Sequence, residues 1–169
     1  MSRPAETEAA PYFFRYINLT KGETVNELVQ NHSEELKKFY NAIPDEKANY
    51  AYAEGKWTIK EVMQHIIDTE RVFTYRLLRF ARKDSTPLHS FDENAFAQNA
   101  NANNRTLASL KEELNMLRLA TDIMLANLSN EQLAFTGTSS NHSTTANAVS
   151  FIIFGHLIHH KNIITERYL

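Results

Sequence analysis

The sequence predicts an all-α protein, a four-helix bundle with a long crossover connection between its second and third helices. The chain of 169 residues has only 4 glycines and 4 prolines, with no proline after Pro87, so little in it interrupts long helices. Four long stretches repeat apolar residues at spacings of three and four, which is the period of a helix with one buried face. We expect a single domain spanning residues 1–169.

The composition excludes several classes of function. The net charge is −2 with acidic and basic residues interspersed, which gives no electrostatic footprint for nucleic acid or an anionic membrane. The absence of cysteine excludes disulfides, cysteine-based zinc sites and a thiol nucleophile of the protein's own. No apolar run is long enough to span a bilayer, and residues 1–11 lack the pattern of a signal peptide. We therefore expect a cytoplasmic protein without nucleic-acid or membrane partners.

The first predicted helix begins after Thr24 and ends before Pro44. Thr24 followed by Glu27 has the pattern of a capping box, and proline does not continue a helix. The aromatic run within residues 1–22 is expected to pack across the end of the bundle. His32 falls in the apolar stripe of this helix. We interpret it as a core histidine that hydrogen-bonds to a neighbour rather than as a metal ligand, and keep it as a candidate pocket residue.

The second predicted helix spans residues 58–81. Thr58 and Glu61 repeat the capping-box pattern at its start. At about 100° per residue, His65 lies about 100° from the centre of the apolar stripe, on a flank of the helix. That position fits a residue that lines a cleft as well as it fits a partly exposed one.

Residues 83–104 are polar and rich in asparagine, with a short amphipathic piece around residues 91–97. A connection of about 20 residues is long for antiparallel neighbours and is typical of a crossover. The third helix follows, with a leucine-rich stripe from Leu107 to Leu128 that we assign to the bundle core. Residues 136–145, rich in Ser, Thr and Asn, are predicted to form an irregular loop.

The last predicted helix, residues 149–168, carries the candidate functional residues. His156 and His160 are four residues apart and therefore lie on one face, which is otherwise apolar. Burying an imidazole without a partner costs about 1–3 kcal/mol, and a shared metal ion satisfies two imidazoles at once. Phe154 and Ile158 lie on the back of this helix, where we expect exposed positions that serve a homodimer.

A metal ion held by two histidines of one helix turn needs a third ligand from another helix. His65 and His32 are the candidates by position, because His89 and His142 lie in predicted loops. Three neutral nitrogens without a thiolate suit Zn, Ni, Fe(II) or Mn and leave an open coordination position, which is typical of a catalytic site. Leu157 stands where a zincin motif has glutamate, and this disfavours a metalloprotease.

Several segments together resemble a known family. They are WTIKEV at residues 57–62 followed by His65, ERVFTYR at 70–76, LRFAR at 78–82, FDENA at 91–95, and GHLIHH at 155–160 continuing to ERY at 166–168. The combination resembles the DinB-like superfamily over residues 16–168.

The resemblance implies a four-helix bundle with a long crossover and, in many members, a divalent metal ion held by three histidines. Matched residue by residue, these are His65, His156 and His160, which favours His65 over His32 as the third ligand. Asp68 and Glu70, one turn along from His65, are candidates for orienting a ligand by a hydrogen bond, although a solvated helix face explains them equally well.

Characterised relatives of the superfamily include bacillithiol S-transferases, mycothiol-dependent isomerases and the iron-binding bundle of ergothioneine synthases. Their shared chemistry is a metal that lowers the pKa of a small-molecule thiol. The resemblance thus implies a metal-dependent enzyme, with a transferase that passes a low-molecular-weight thiol to an electrophile as the favoured activity. A non-catalytic, stress-associated bundle protein and a metal-dependent hydrolase are the alternatives.

Overall fold

The computed structural model describes residues 1–169, and four long helices dominate it. In chain order the elements are α1 (Phe14–Ile17), α2 (Val25–Ala42), α3 (Ile59–Ala81), α4 (Glu93–Asn99), α5 (Leu107–Ala126), α6 (Asn130–Ala134), β1 (Thr136–Ser139), β2 (His142–Thr145) and α7 (Ala146–Arg167). Short 3-10 turns occur at Pro11–Phe13, Asp45–Lys47 and Ala102–Asn104. The predicted four-helix bundle is confirmed, with α2, α3, α5 and α7 as its helices. None of the helices is both long enough and apolar enough to cross a membrane.

The starts of α2 and α3 follow the caps predicted from the sequence. At α3 the Thr58 hydroxyl accepts from the Glu61 N–H while the Glu61 carboxylate accepts from the Thr58 N–H, which completes the capping box. The box predicted for α2 is only half formed. Thr24 accepts from the Glu27 N–H, but the Glu27 carboxylate accepts from the N–H of Glu23. Both caps satisfy helix N–H groups that have no partner within the helix.

The long connection between α3 and α5 joins parallel neighbours. Residues near the start of α3 contact residues near the start of α5, and residues further along α3 contact residues further along α5. Arg105, just before α5, donates to Gln64, and Arg118 donates to Glu70 one and a half turns further along α3. A parallel arrangement requires the chain to travel back along α3 over residues 82–106, and α4 packs against α3 on this path. The predicted crossover is therefore confirmed.

Residues 136–145 form a β-hairpin, so the prediction of an irregular loop is wrong. β1 and β2 pair antiparallel. Ser140 and Asn141 at the turn have φ of 52° and 65°, the left-handed pair of a turn whose twist matches that of the strands. The strands consist of Thr, Ser, Gly and His, so they lack the apolar alternation that indicates a strand. A Cβ on Gly137 would lie only 1.9 Å from the Phe80 ring, which explains the glycine in β1.

Helix α1 packs directly on the backbone of α7. A Cβ at Gly155 would lie 2.2 Å from the backbone oxygen of Tyr16, so only glycine permits this approach. Glycine in a helix interior is less favourable than alanine by about 0.5–1 kcal/mol, and here that cost accompanies a close helix–helix contact. The contact sits one residue before His156 and brings the Tyr16 ring to the histidines of α7.

Phe154 is fully buried, so the expectation of an exposed back on α7 is wrong at this position. The Phe154 ring centroid lies 4.6 Å from the guanidinium carbon of Arg118 and 6.0 Å from the ring centroid of His32. Helix α7 contacts α1, α2 and α3, and a helix that is covered on several sides is apolar all round. Ile158 is half-buried. Phe154 therefore offers no surface for a homodimer.

Candidate metal centre

Three histidine side chains from two helices meet between α3 and α7. His65 of α3 and His156 and His160 of α7 have ring nitrogens that all lie within 4.8 Å of one another. The Nε2 atom of His156 is 3.2 Å from Nε2 of His65 and 3.1 Å from Nε2 of His160. All three side chains are buried, so His65 lines the space between the helices and is not the partly exposed residue that its flank position also allowed.

Burial keeps the three imidazoles neutral. It lowers the pKa of His65 from 6.5 to about 4, with a smaller contribution from the neighbouring His159. It also holds the pKa of His156 and of His160 well below 6.5. A neutral imidazole has one N–H and one lone pair, so the cluster is poised to offer lone pairs rather than positive charges at neutral pH.

The contacts between the rings suit a shared cation better than hydrogen bonds. The Nε2 atom of His156 carries either one hydrogen or one lone pair, yet it faces the Nε2 atoms of two neighbours at 3.1 and 3.2 Å. Zinc–nitrogen bonds of about 2.0–2.1 Å at angles of about 90–109° place adjacent nitrogens about 2.8–3.4 Å apart. His65, His156 and His160 therefore have the donor atoms to hold one divalent metal ion, and the two pairs that include His156 already have the spacing.

Aromatic rings enclose the cluster. The ring centroid of Trp57 lies 4.8 Å from that of His65, and the ring centroids of Tyr16 and Phe73 lie 5.6 and 5.8 Å from that of His156. These walls limit the access of water, which strengthens electrostatic interactions inside.

The ring of Tyr16 packs against the side of the cluster, and its hydroxyl is neutral. Burial raises its pKa to about 12, so the phenol keeps its proton at neutral pH. The hydroxyl accepts a hydrogen bond of 2.7 Å from Arg15, and a hydrogen bond with Tyr12 also contributes to its raised pKa. Tyr16 was not among the site residues predicted from the sequence. The one signal available was its position in an aromatic run, since its approach to His156 depends on Gly155 in a distant helix.

The structure places His32 apart from the metal cluster. Its Nε2 atom accepts a hydrogen bond of 2.9 Å from the backbone N–H of Lys21, and the side chain is buried. This is the hydrogen-bonded core histidine that the sequence analysis favoured.

Neither Asp68 nor Glu70 hydrogen-bonds to a histidine of the cluster. The Asp68 carboxylate accepts from the Gln64 amide at 2.9 Å. Glu70 is 2% exposed, so neither a solvated face nor contact with the cluster describes it. It accepts from Arg118 and Thr121 of α5. A hydrogen-bonding group that does reach a ligand is the hydroxyl of Thr69, which lies 3.5 Å from Nδ1 of His65.

Two cavities reach the cluster through different histidines. One, of about 120 Å³, is lined by His156 together with Tyr16, Phe73 and Arg76. The other, of about 260 Å³, is lined by His160 together with Trp57, Tyr52, Lys56, Asn94 and Tyr168. Each cavity contains both aromatic and polar side chains, as small-molecule sites commonly do.

We expect the stability of the metal-free protein to fall as the pH is lowered from about 6.5 to about 4. The pKa of His65 is about 4 in the folded state against 6.5 ordinarily, so the unfolded chain binds the proton first and acid favours unfolding. At about 1.36 kcal/mol per pKa unit, His65 alone accounts for about 3 kcal/mol below that window.

Urea unfolding across this pH range measures the loss, with His65→Gln as the comparison because other groups also titrate there. The variant should lose less stability on acidification than the parent chain. Parallel curves for the two proteins would show that His65 titrates normally.

The comparisons with known proteins agree with this architecture. The family model of the DinB superfamily matches residues 28–164. A protein of Oceanobacillus iheyensis, whose name proposes a metal-dependent hydrolase, is 27% identical over 84 residues, or 49% of this chain. The match spans 48% of that relative, about half of its length.

The fold is also similar to that of YfiT from Bacillus subtilis, described as a probable metal-dependent hydrolase with an unusual four-helix bundle topology. The TM-score is 0.70 over 96% of this chain and 89% of the other. At 19% identity, this similarity shows the fold alone.

Proposed function

Since the chain belongs to the DinB superfamily, we propose that it is a metal-dependent enzyme that holds one divalent cation on His65, His156 and His160. The observation that carries the proposal is the cluster of three neutral, buried imidazoles whose ring nitrogens lie within 4.8 Å of one another, with two of the pairs at 3.1 and 3.2 Å. The names of the relatives, which both refer to metal dependence, support it. Zn, Ni, Fe(II) and Mn all suit a set of three imidazoles.

We infer that the reaction is the transfer of a low-molecular-weight thiol to an electrophile. The support is the pair of cavities, one at His156 and one at His160, since a transferase must hold two substrates beside the same centre. The chain has no cysteine, so the sulfur has to come from a small molecule. A bound divalent cation lowers the pKa of a coordinated thiol and stabilises its thiolate at neutral pH.

The protein's own residues orient the substrates and exclude water. Trp57 packs on His65 and restricts the cavity at His160, while Phe73 and Tyr16 flank His156. The ring of Tyr16 lines the cavity at His156 and packs against that histidine, so it forms one wall of the space in which the electrophile lies.

A hydrolase is the second candidate, and the names of both relatives favour it. Hydrolysis needs only one organic substrate and a group that accepts a proton from water. Glu93 is the carboxylate that lines the cavity at His156, and it is the residue that would have to accept that proton.

The transferase needs a thiol as a substrate and the hydrolase does not, so an assay with and without thiol distinguishes them. We expect the metal-loaded protein to accelerate the reaction of cysteine, glutathione or bacillithiol with chlorodinitrobenzene, in which a C–S bond forms, chloride leaves and the thiol proton passes to buffer. The rate should fall to the uncatalysed level in His160→Ala and stay unchanged in Asn162→Ala, an exposed residue on the same helix.

Hydrolysis of nitrophenyl acetate without thiol, lost in Glu93→Gln, would favour the hydrolase instead. Metal binding without turnover of any of these substrates would contradict both activities and support the non-catalytic bundle.

A further inference from the structure

Arg76 is a buried cation without an acidic partner. Its side chain is 5% exposed, yet its protein hydrogen bonds come from one atom, Nη2, which donates to the backbone oxygen of His89 at 3.1 Å and to Oγ of Ser140 at 3.2 Å. The other arginines within α3 differ, because Arg71 pairs with Glu113 and Arg79 pairs with Asp84. The N–H groups on Nε and Nη1 of Arg76 are left without protein acceptors.

A buried, uncompensated guanidinium is unfavourable unless something else supplies the negative charge. Burial lowers the pKa of Arg76, and no acidic side chain opposes that shift. The two polar contacts hold the guanidinium in place between the hairpin turn and the connection after α3, so its remaining donors are fixed before a ligand arrives. Fixed donors of this kind bind a planar anion at a low entropic cost.

Arg76 lines the same cavity as His156. His65, Thr69, Phe73 and Arg76 follow each other along α3 at spacings of four, four and three, so they form one stripe that leads away from the metal cluster. The guanidinium carbon lies 5.8 Å from the ring centroid of Phe73, which is itself 5.8 Å from that of His156. An anion bound to Arg76 would therefore lie one aromatic ring away from His156.

The cavity also indicates what the rest of the ligand is. Its volume of about 120 Å³ is close to the roughly 150 Å³ of a cavity that accommodates a benzene ring. Phe73 and Phe91 both lie beside the guanidinium of Arg76, with the Phe91 centroid at 6.0 Å, and provide flat apolar walls. Glu93 lines the same cavity and is exposed, which disfavours a ligand with two negative charges.

We propose that the cavity beside His156 binds a small organic carboxylate, whose carboxylate group pairs with Arg76 and whose flat body lies between Phe73 and Phe91. A carboxylate matches the planar fork of a guanidinium, whereas a phosphate dianion meets the single charge of Arg76 and the opposing charge of Glu93. The assignment of this ligand as a substrate rests on the proposed function. If that function is correct, the second substrate is an electrophile with a carboxylate group.

The test is titration of the full-length protein with benzoate and with its uncharged counterpart benzamide, followed calorimetrically. Benzoate should bind, and benzamide should bind at least about tenfold more weakly. Arg76→Met should lower benzoate affinity at least about tenfold, Arg76→Lys should lower it less, and Arg82→Met should leave it unchanged. Arg82 is an exposed cation six residues along from Arg76 and does not line this cavity.

Loss of the Ser140 contact alone provides the structural control. Ser140→Ala removes one of the two contacts that fix Arg76 without removing its charge, so it should lower benzoate affinity less than Arg76→Met does. If Arg76→Met does not fold, Arg76→Gln, which keeps polar donors but removes the charge, takes its place. Benzoate affinity that stays unchanged when the charge of Arg76 is removed would overturn the proposal.

The result also separates this proposal from the metal site. Benzoate that binds a metal ion directly would lose affinity in His156→Ala and keep it in Arg76→Met, and this pattern would overturn the role of Arg76. Binding that depends on Arg76 in a protein that holds no metal would support the anion site and contradict the proposed function. Sulfate that competes as well as benzoate would overturn the assignment to carboxylates.

Discussion

The His156→Ala variant is expected to lose metal binding by more than about 100-fold, beyond the 10- to 100-fold that removal of a group supporting a ligand costs. His156 is the central member of the cluster, because its Nε2 atom contacts those of both His65 and His160. Its removal leaves only two imidazoles, one on each helix, and two protein ligands hold a metal ion more weakly than three. Metal content after dialysis, measured by inductively coupled plasma mass spectrometry, gives the loss directly.

His159→Ala is the matched control for this prediction. His159 lies on the same helix, and its ring centroid is 5.1 Å from that of His160, but it is not part of the convergent set. The variant should keep its metal and its metal-dependent rise in melting temperature, which for ligand at about 1,000 times its Kd corresponds to about 4 kcal/mol. If His156→Ala keeps as much metal as His159→Ala, the predicted role of His156 as a ligand is wrong.

The Arg118→Met variant should be less stable by about 3–5 kcal/mol, because it leaves a buried carboxylate without its charged partner. The Glu70 Oε1 atom accepts from Nη1 of Arg118 at 2.9 Å and from the Thr121 hydroxyl at 2.7 Å, and Oε2 has no partner. Burial raises the pKa of Glu70, and Arg118 is the largest influence that lowers it again. Urea unfolding measures the change.

The loss of stability in Arg118→Met should become smaller as the pH falls. Without Arg118, the folded variant takes up a proton on Glu70 more readily than the unfolded chain, whose carboxyl has a pKa of 4.5, so acid favours the folded state at this residue. Adding Glu70→Gln removes the uncompensated charge and should restore most of the stability at neutral pH. Arg71→Met, at a half-exposed ion pair on α3, should cost less than about 1 kcal/mol. An Arg118→Met variant as stable as Arg71→Met would contradict the account.

Local chemistry and helical period made much of the bundle predictable. The capping box of Thr58 and Glu61 and the stop at Pro44 depend on residues adjacent in sequence, and the structure shows both boundaries where they were expected. The pairing of His156 with His160 follows from a spacing of four. The choice of His65 over His32 needed the family resemblance, because periodicity placed one on a flank and the other in a stripe.

Features that depend on tertiary contacts were not predictable in this way. Arg76 appears on α3 as one more charged residue, and only the fold reveals that no carboxylate reaches it. Phe154 was expected to be exposed from the geometry of one helix, but α7 has neighbours on several sides. The hairpin of β1 and β2 forms from polar residues held by pairing and by a turn with positive φ, which apolar alternation does not detect.

The central claim is that His65, His156 and His160 hold one divalent metal ion, and anomalous X-ray scattering from crystals of the protein purified with zinc tests it most directly. We predict a single strong peak at the metal absorption edge, within bonding distance, about 2.0–2.1 Å, of all three Nε2 atoms. A peak elsewhere, or no peak between α3 and α7 in crystals that contain zinc, would contradict it.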